Sequence, residues 1–266
     1  MYEVNSLSLL VGAGICNANC PHCAGRIHRK YAPKEDGVLD EELIRKTLLD
    51  CGHSGAKYLS LSGSGEPTLS PQTVTRVLEI VKECRADGVN YFPINLYTNG
   101  IRIGEEVSFC NKYLPLWKSL GLTTMYVTVH SVDEKRNAEI IGISVFPNLK
   151  SIFDRIHTSG LLVRANLVLS KKSVSTAVGF VLAVNRLKLL GADYIAAWPV
   201  RDAEGSKADK VLSPDSSELD KIDSWLLHSS PYINIKMLRQ DSNVYYKNTK
   251  KLTLFPDGSL TDSWCN

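Results

Sequence analysis

Hydrophobic positions along the chain switch between a period of two and a period near 3.6, and the switches mark out its elements. Leu7, Leu9, Leu10 and Val11 lie in an extended run, Val4–Gly12, closed by Gly12-Ala13-Gly14. After a long loop, Leu39 and Asp40 supply a staple and an N-cap for a helix reaching about Cys51. Tyr58–Ser62 is a second strand, ended by Gly63-Ser64-Gly65. Ser70-Pro71 gives a cap and a first-turn proline, and Val74, Val77, Leu78 and Val81 follow at helical spacing. Phe92–Tyr97 is strand three, closed by Thr98-Asn99-Gly100, and one helical segment then runs to Leu120. Thr124–Val129 is strand four, and Leu149, Ile152, Phe153 and Ile156 mark the next helix face. Leu161–Leu169, a helix over Val174–Leu190 with Gly191 past its end, and Tyr194–Trp198 continue the alternation. Ser213-Pro214 opens a last helix with Leu219, Ile222 and Trp225 on one side.

Six strands each followed by a helix predict an α/β protein with a parallel sheet and right-handed crossovers. Eight such units close a full TIM barrel; six predict a partial (β/α)6 TIM-like barrel with an open side. Residues 230–266 break the rhythm. Ile233–Met237 reads as a strand, and Lys251–Phe255 and Ser259–Ser263 as a hairpin around Pro256-Asp257-Gly258. The expected organisation is a barrel core over 1–229 and a short C-terminal β extension over 230–266 packed on it.

Composition narrows the class without changing the fold. With 266 residues, 44% hydrophobic and 22% charged, the chain can bury a sizeable core and is not a disordered or collagen-like polymer. Thirty-one basic against 28 acidic residues leave a formal charge of +3, too balanced for a nucleic-acid signature, although a local patch stays open. The first residues lack the basic stretch of a signal peptide, and no apolar run approaches a membrane span. A cytoplasmic protein is expected.

The seven cysteines carry the sharpest chemical signal. Their number is odd and three of them, Cys16, Cys20 and Cys23, fall in one C-x3-C-x2-C loop after strand one, unlike a secreted disulfide framework. Cys51, Cys84 and Cys110 sit in helical or mixed segments and read as small buried hydrophobes. Three thiolates on a tight loop suit an iron–sulfur cubane and leave one iron without a protein ligand, where a small molecule can chelate. The competing reading is zinc in a colourless, metal-stabilised binding module. A structural zinc site wants four ligands, and His22, the fourth by composition, would have to turn back into the same loop.

The loop with its strand context resembles the radical SAM superfamily over roughly residues 5–205. Gly63-Ser64-Gly65-Glu66-Pro67 after strand two resembles that family's GGEP motif, with Ser64 in place of the first glycine of the pair. The resemblance implies a partial (β/α)6 barrel, a [4Fe-4S] cluster held by Cys16, Cys20 and Cys23, and S-adenosylmethionine (SAM) on the open iron. It implies that Ser64, Gly65 and Glu66 bind the methionyl amino group, and that the His22 ring covers the adenine side in place of the common aromatic residue. It further implies reductive SAM cleavage to a 5′-deoxyadenosyl radical that abstracts hydrogen from substrate, with an electron donor such as flavodoxin or ferredoxin.

The remaining cofactor contacts are expected at the ends of strands three to six. Asn99 either faces the site or only makes an Asn-Gly turn. Thr128 or Ser131 is a candidate for the ribose or the carboxylate of SAM, and Asn166, which shares a strand face with Arg164, for a ribose hydroxyl. Trp198 either lies against adenine or belongs to the core. His130 is either a catalytic residue facing substrate or a rim histidine. Cys265 is a candidate hydrogen-atom donor if the tail covers the barrel mouth, and otherwise a terminal thiol. Arg26, His28, Arg29, Lys30 and Lys34 form either a basic lip for an anion or a solvated loop. The expected substrate is a small molecule or a peptide. The alternatives are radical modification of a macromolecule, as in tRNA modification or activation of a glycyl-radical enzyme.

Overall fold

A computed structural model describes residues 3–201, 209–228, 234–239 and 249–262. Nine strands form one sheet in the order β7-β6-β5-β4-β3-β2-β1-β8-β9. They are β1 (Glu3–Leu10), β2 (Tyr58–Ser62), β3 (Ile94–Thr98), β4 (Thr124–Val129), β5 (Leu162–Leu169), β6 (Tyr194–Pro199), β7 (Ile235–Met237), β8 (Thr249–Leu254) and β9 (Leu260–Thr261). All pairings are parallel except β8 with β9. The sheet is curled. Lys236 of β7 and Lys251 of β8, from opposite sides of the strand order, both act electrostatically on Tyr97 of β3. No pair joins β7 to β9 among the described residues, so the barrel is partial, as six βα units predict.

Strand residues alternate between two environments. Met125, Val127 and Val129 of β4 and Val163, Ala165 and Leu167 of β5 face outward into the hydrophobic core. Against them pack α1 (Glu41–His53), α2 (Pro71–Glu83), α3 (Ile101–Glu105), α4 (Val107–Ser119), α5 (Glu134–Ile141), α6 (Leu149–Thr158), α7 (Ala177–Leu189) and α8 (Ser216–His228). The intervening residues, such as Asn95, Tyr97, Thr124, Tyr126, Arg164 and Asn166, line a polar lumen. The core is therefore the layer between sheet and helices, and the lumen is left for ligands.

Several boundaries differ from the sequence reading. The segment between Gly100 and Gly121 is two helices, because Glu106 adopts extended backbone. Helix α7 starts at Ala177, capped by Thr176, because Ser170–Val174 close a turn of their own. The Ser70 hydroxyl makes no cap bond to α2; it accepts instead from the Ala13 N–H at 2.9 Å, tying the loop after β1 to the loop after β2. Helix α5, capped by the Asp133 side chain, has no counterpart in the sequence reading. The C-terminal strands join the barrel sheet: β8 and β9 form the antiparallel hairpin read from the sequence, β8 also lies parallel to β1, and β7 extends the sheet beyond β6.

Candidate active site

Parallel strands bring the loops after β1, β2, β3, β4 and β6 to one end of the barrel, where they enclose a cavity of about 310 Å³. The loop after β1 turns at Gly12, whose φ of +95° lies in the left-handed region. It is then held by its backbone: Val11 N–H donates to Ser62 O at 2.6 Å and Asn19 N–H to Ile141 O at 2.8 Å. Arg26 donates from Nη2 to Cys20 O at 2.8 Å, and Arg29 from Nε to Ser64 O at 2.9 Å. Of the basic residues read as an anion lip or a solvated loop, Arg26 thus braces the cysteine loop and Arg29 ties its far end to the loop after β2.

Cys16, Cys20 and Cys23 are half-buried and line the same cavity. Burial raises the Cys16 thiol pKa. For Cys20, burial and then the neighbouring Cys23 and Cys16 push it up to about 12. Sulfurs that repel one another in a half-dry pocket are a donor set awaiting positive charge. Among the described residues no three His, Cys, Asp or Glu side chains gather tightly enough to hold one ion. The donor chemistry, three sulfurs and a cavity beside them, fits a [4Fe-4S] cluster.

The loop after β2 touches the cysteine loop directly. A Cβ on Gly65 would lie 2.0 Å from Ile15 O, so only glycine permits the approach. Glu66 N–H donates to the same Ile15 O at 2.7 Å. The Glu66 carboxylate is buried and bonded within the protein. Oε1 accepts from Thr68 N–H (3.0 Å), Thr68 Oγ1 (2.7 Å) and Thr98 Oγ1 (2.7 Å), and Oε2 from Asn99 N–H (2.7 Å). Burial pushes its pKa up while these four donors oppose the shift. Glu66 therefore joins the ends of β2 and β3 and lines the cavity, with one acceptor position left on Oε2. Ser64 is buried with its hydroxyl unpartnered and does not line the cavity; its neighbours Gly63, Gly65 and Glu66 do.

Asn99 makes its turn and faces the site together. Its Nδ2 donates to Asn17 Oδ1 at 2.8 Å and lies 3.9 Å from Cys16 Sγ, while its Oδ1 accepts from Ile101 N–H at 3.0 Å. Thr128, His22, His130 and Trp198 also line the cavity, and Trp198 is not part of the core cluster. The His22 and His130 rings meet edge to face at 4.8 Å. Burial lowers both imidazole pKa values, that of His130 to about 3, so both are neutral at ordinary pH.

Two expected contacts lie elsewhere. The Ser131 hydroxyl accepts from Asp133 N–H at 3.1 Å and belongs to the turn before α5. Asn166 sits deeper in the lumen, where its Oδ1 accepts from Arg164 Nε at 2.8 Å. Cys265 lies outside the described residues. The sequence reading missed Asn137, fully buried on α5, whose Oδ1 accepts from the backbone N–H groups of His130 and Ser131 at 2.9 and 3.3 Å. It also missed Tyr97 and Val168, which line the cavity from inward positions of β3 and β5. The period-two rule points to both once the lumen face is known.

Residues 10–173 match the model of the radical SAM superfamily. The chain belongs to that superfamily. Among curated relatives it is 29% identical over 161 residues to GTP 3′,8-cyclase of Actinobacillus succinogenes, and 27% identical over 158 residues to that of Vibrio cholerae. Each match covers 59% of this chain and only 43% of the relative. Among solved structures, the fold is similar to Streptococcus suis SuiB bound to S-adenosylmethionine, with TM-score 0.67, 16% identity, and coverage of 98% of this chain and 60% of that one. It is also similar to anSMEcpe with bound AdoMet, with TM-score 0.61, 14% identity, and coverage of 97% and 74%. The radical SAM superfamily is one of enzymes that use a [4Fe-4S] cluster and SAM, act on a substrate and need a reductant. No described helix is long and apolar enough to cross a membrane.

Proposed function

We propose that this chain is a radical SAM enzyme in which Cys16, Cys20 and Cys23 hold a [4Fe-4S] cluster and the adjoining cavity holds SAM. The observation that carries the reading is the placement of three half-buried thiols on one wall of the cavity whose other walls are Gly65, Glu66, Asn99 and Trp198. When bound, cluster and SAM supply a 5′-deoxyadenosyl radical by reductive cleavage, the difficult chemistry that a cofactor contributes.

The chain's own residues bind and orient. Gly65 lets the loop after β2 approach the cysteine loop, and the open acceptor position of Glu66 Oε2 suits the ammonium of SAM. Asn99 braces Asn17 beside Cys16. Thr128 offers a hydroxyl to ribose, and Trp198 and His22 offer flat surfaces to adenine. Neutral His22 and His130 add no positive charge to a site that holds a sulfonium. The apolar side chains of Ile141, Val168 and Val200 exclude water from the reacting atoms.

The substrate is a small molecule or a peptide. The curated relatives are named for chemistry on GTP, a small molecule, which supports the first of these. A flavodoxin or ferredoxin supplies the electron. The test is anaerobic reconstitution with iron and sulfide, reduction with dithionite, and assay of 5′-deoxyadenosine from SAM. Wild type should be brown and form the product. Replacing any one of the three cysteines by Ala should abolish both, and a triple-Ala variant that still assembles the cluster would sink the assignment. A colourless protein with stoichiometric zinc would support the binding module instead.

A further inference from the structure

A second cavity, of about 460 Å³, lies deeper in the lumen and opens at the N-terminal end of the barrel, beside Phe92, Thr123 and Asn234. Its walls carry two cations, Arg164 of β5 and Lys236 of β7. Arg164 is fixed from three sides. Its Nε donates to Asn166, its guanidinium carbon stands 3.4 Å from the Tyr126 ring centroid, and its Nη2 reaches Tyr97 Oη at 3.5 Å. None of these partners is a carboxylate, and neither Arg164 nor Lys236 makes an ion pair among the described residues. Burial, and next the repulsion of Arg164, push the Lys236 pKa down. Two buried amides nearby are incompletely satisfied: Asn95 Oδ1 and Asn166 Nδ2 have no hydrogen-bond partner, and Asn95 lines this cavity. Two cations with no acidic partner among the described residues, lining one recess, are the complement of an oxyanion. A planar guanidinium already stacked and oriented loses little freedom on meeting one.

We propose that this lower cavity binds the oxyanion head of a small-molecule substrate, a carboxylate or a phosphate, with Arg164 and Lys236 as its cations. The inference rests on the reading of the upper cavity as the SAM site and adds a substrate class to it. Tyr97 links the two levels, because it lines the upper cavity and meets Arg164 below. Along β5, Arg164 lies four residues before Val168, which lines the upper cavity; at about 3.3 Å per residue the rise is roughly 13 Å. A molecule anchored at Arg164 therefore needs an extended body to bring a C–H bond to the radical. Anionic and elongated is the class the lumen selects.

The test is isothermal titration calorimetry of the reconstituted full chain with inorganic phosphate and, separately, glutarate. Saturable binding of at least one is expected. Lys236→Met should weaken it about tenfold, the scale of a lost charge-assisted contact, and Lys236→Arg should restore most of it. Arg164→Met should weaken it as well, with a thermal melt of each variant reporting its fold. Absence of saturable binding by either anion, or binding indifferent to Lys236→Met, would overturn the proposal. The same wild-type sample is assayed for 5′-deoxyadenosine. Product without anion binding removes the oxyanion site and keeps the radical SAM reading. Anion binding without product removes that reading and keeps the oxyanion site.

Discussion

Gly65 is the residue on which the site is most sterically dependent. A methyl group there would meet Ile15 O at 2.0 Å and Gly14 C at 2.6 Å, both backbone atoms that no rotamer change moves aside. Gly65→Ala should force the two loops apart, costing about 1–3 kcal/mol by overpacking and lowering iron uptake on reconstitution. Iron content and a denaturation curve check it, and a variant that loads iron normally would show that the contact is dispensable. His130 makes a different kind of demand. It is 3% exposed, its Nδ1 is unpartnered, and burial followed by the neighbouring His22 lowers its pKa to about 3. The unfolded chain binds this proton near pH 6.5, the folded chain only near 3. Stability is therefore fully present above pH 6.5 and falls as pH drops through the interval, by up to about 1.4 kcal/mol per pH unit from this group. Chemical denaturation at pH 7 and pH 5 should show the loss, and His130→Gln should flatten it; an equal slope in that variant would place the effect elsewhere.

At the scale of elements, α5 shows what hydrophobic periodicity cannot report. Its opening residues, Glu134, Lys135 and Arg136, are polar, and its buried apolar residues are only Ala138, Ile140 and Ile141, too few for a face to stand out in sequence. Its position matters all the same, since it brings Asn137 under the end of β4. Asn137→Ala would leave the buried His130 N–H and the Ser131 N–H without their acceptor, at a cost of about 2 kcal/mol. Asn137→Asp, which keeps an oxygen in place, should recover part of it. Equal stability of the two variants in urea would deny the acceptor role. The break at Glu106 was hidden for a related reason: Ile103, Phe109, Leu114 and Trp117 keep one side apolar through both helices, so the face is legible and the interruption is not. Asp40 was legible as a cap because one side chain and one turn decide it, and its Oδ1 does accept from Leu43 N–H at 2.9 Å. Ser70 had the same local pattern, but a partner 57 residues away took its hydroxyl.

At the scale of the molecule, the alternation of strand and helix was readable because each βα unit is a local pattern, and the cysteine loop was readable because its three thiols lie within one short segment. Extension of the sheet past β1 was not, because the pairing of β8 with β1 joins segments far apart in sequence and leaves no periodic trace. The polar lumen accounts for the polar half of the inner strands: Asn95, Tyr126 and Arg164 line a cavity and not the core. Strand β8 now covers the edge of β1 and sends Leu254 and Phe255, 5% and 3% exposed, into buried positions. A chain ended before Thr249 would uncover that edge and its apolar flank together, the combination that promotes association between chains. A chain ended before Leu260 would keep β8 on β1 and lose the short antiparallel contact with β9 and the Lys250–Asp262 ion pair. The first truncation should run as aggregate on size exclusion or melt without a cooperative transition. The second should remain cooperative with a modestly lower midpoint. Should the two behave alike, β8 is an appended strand; should they separate as expected, the barrel is a single cooperative unit whose last structural stave lies some 240 residues from its first.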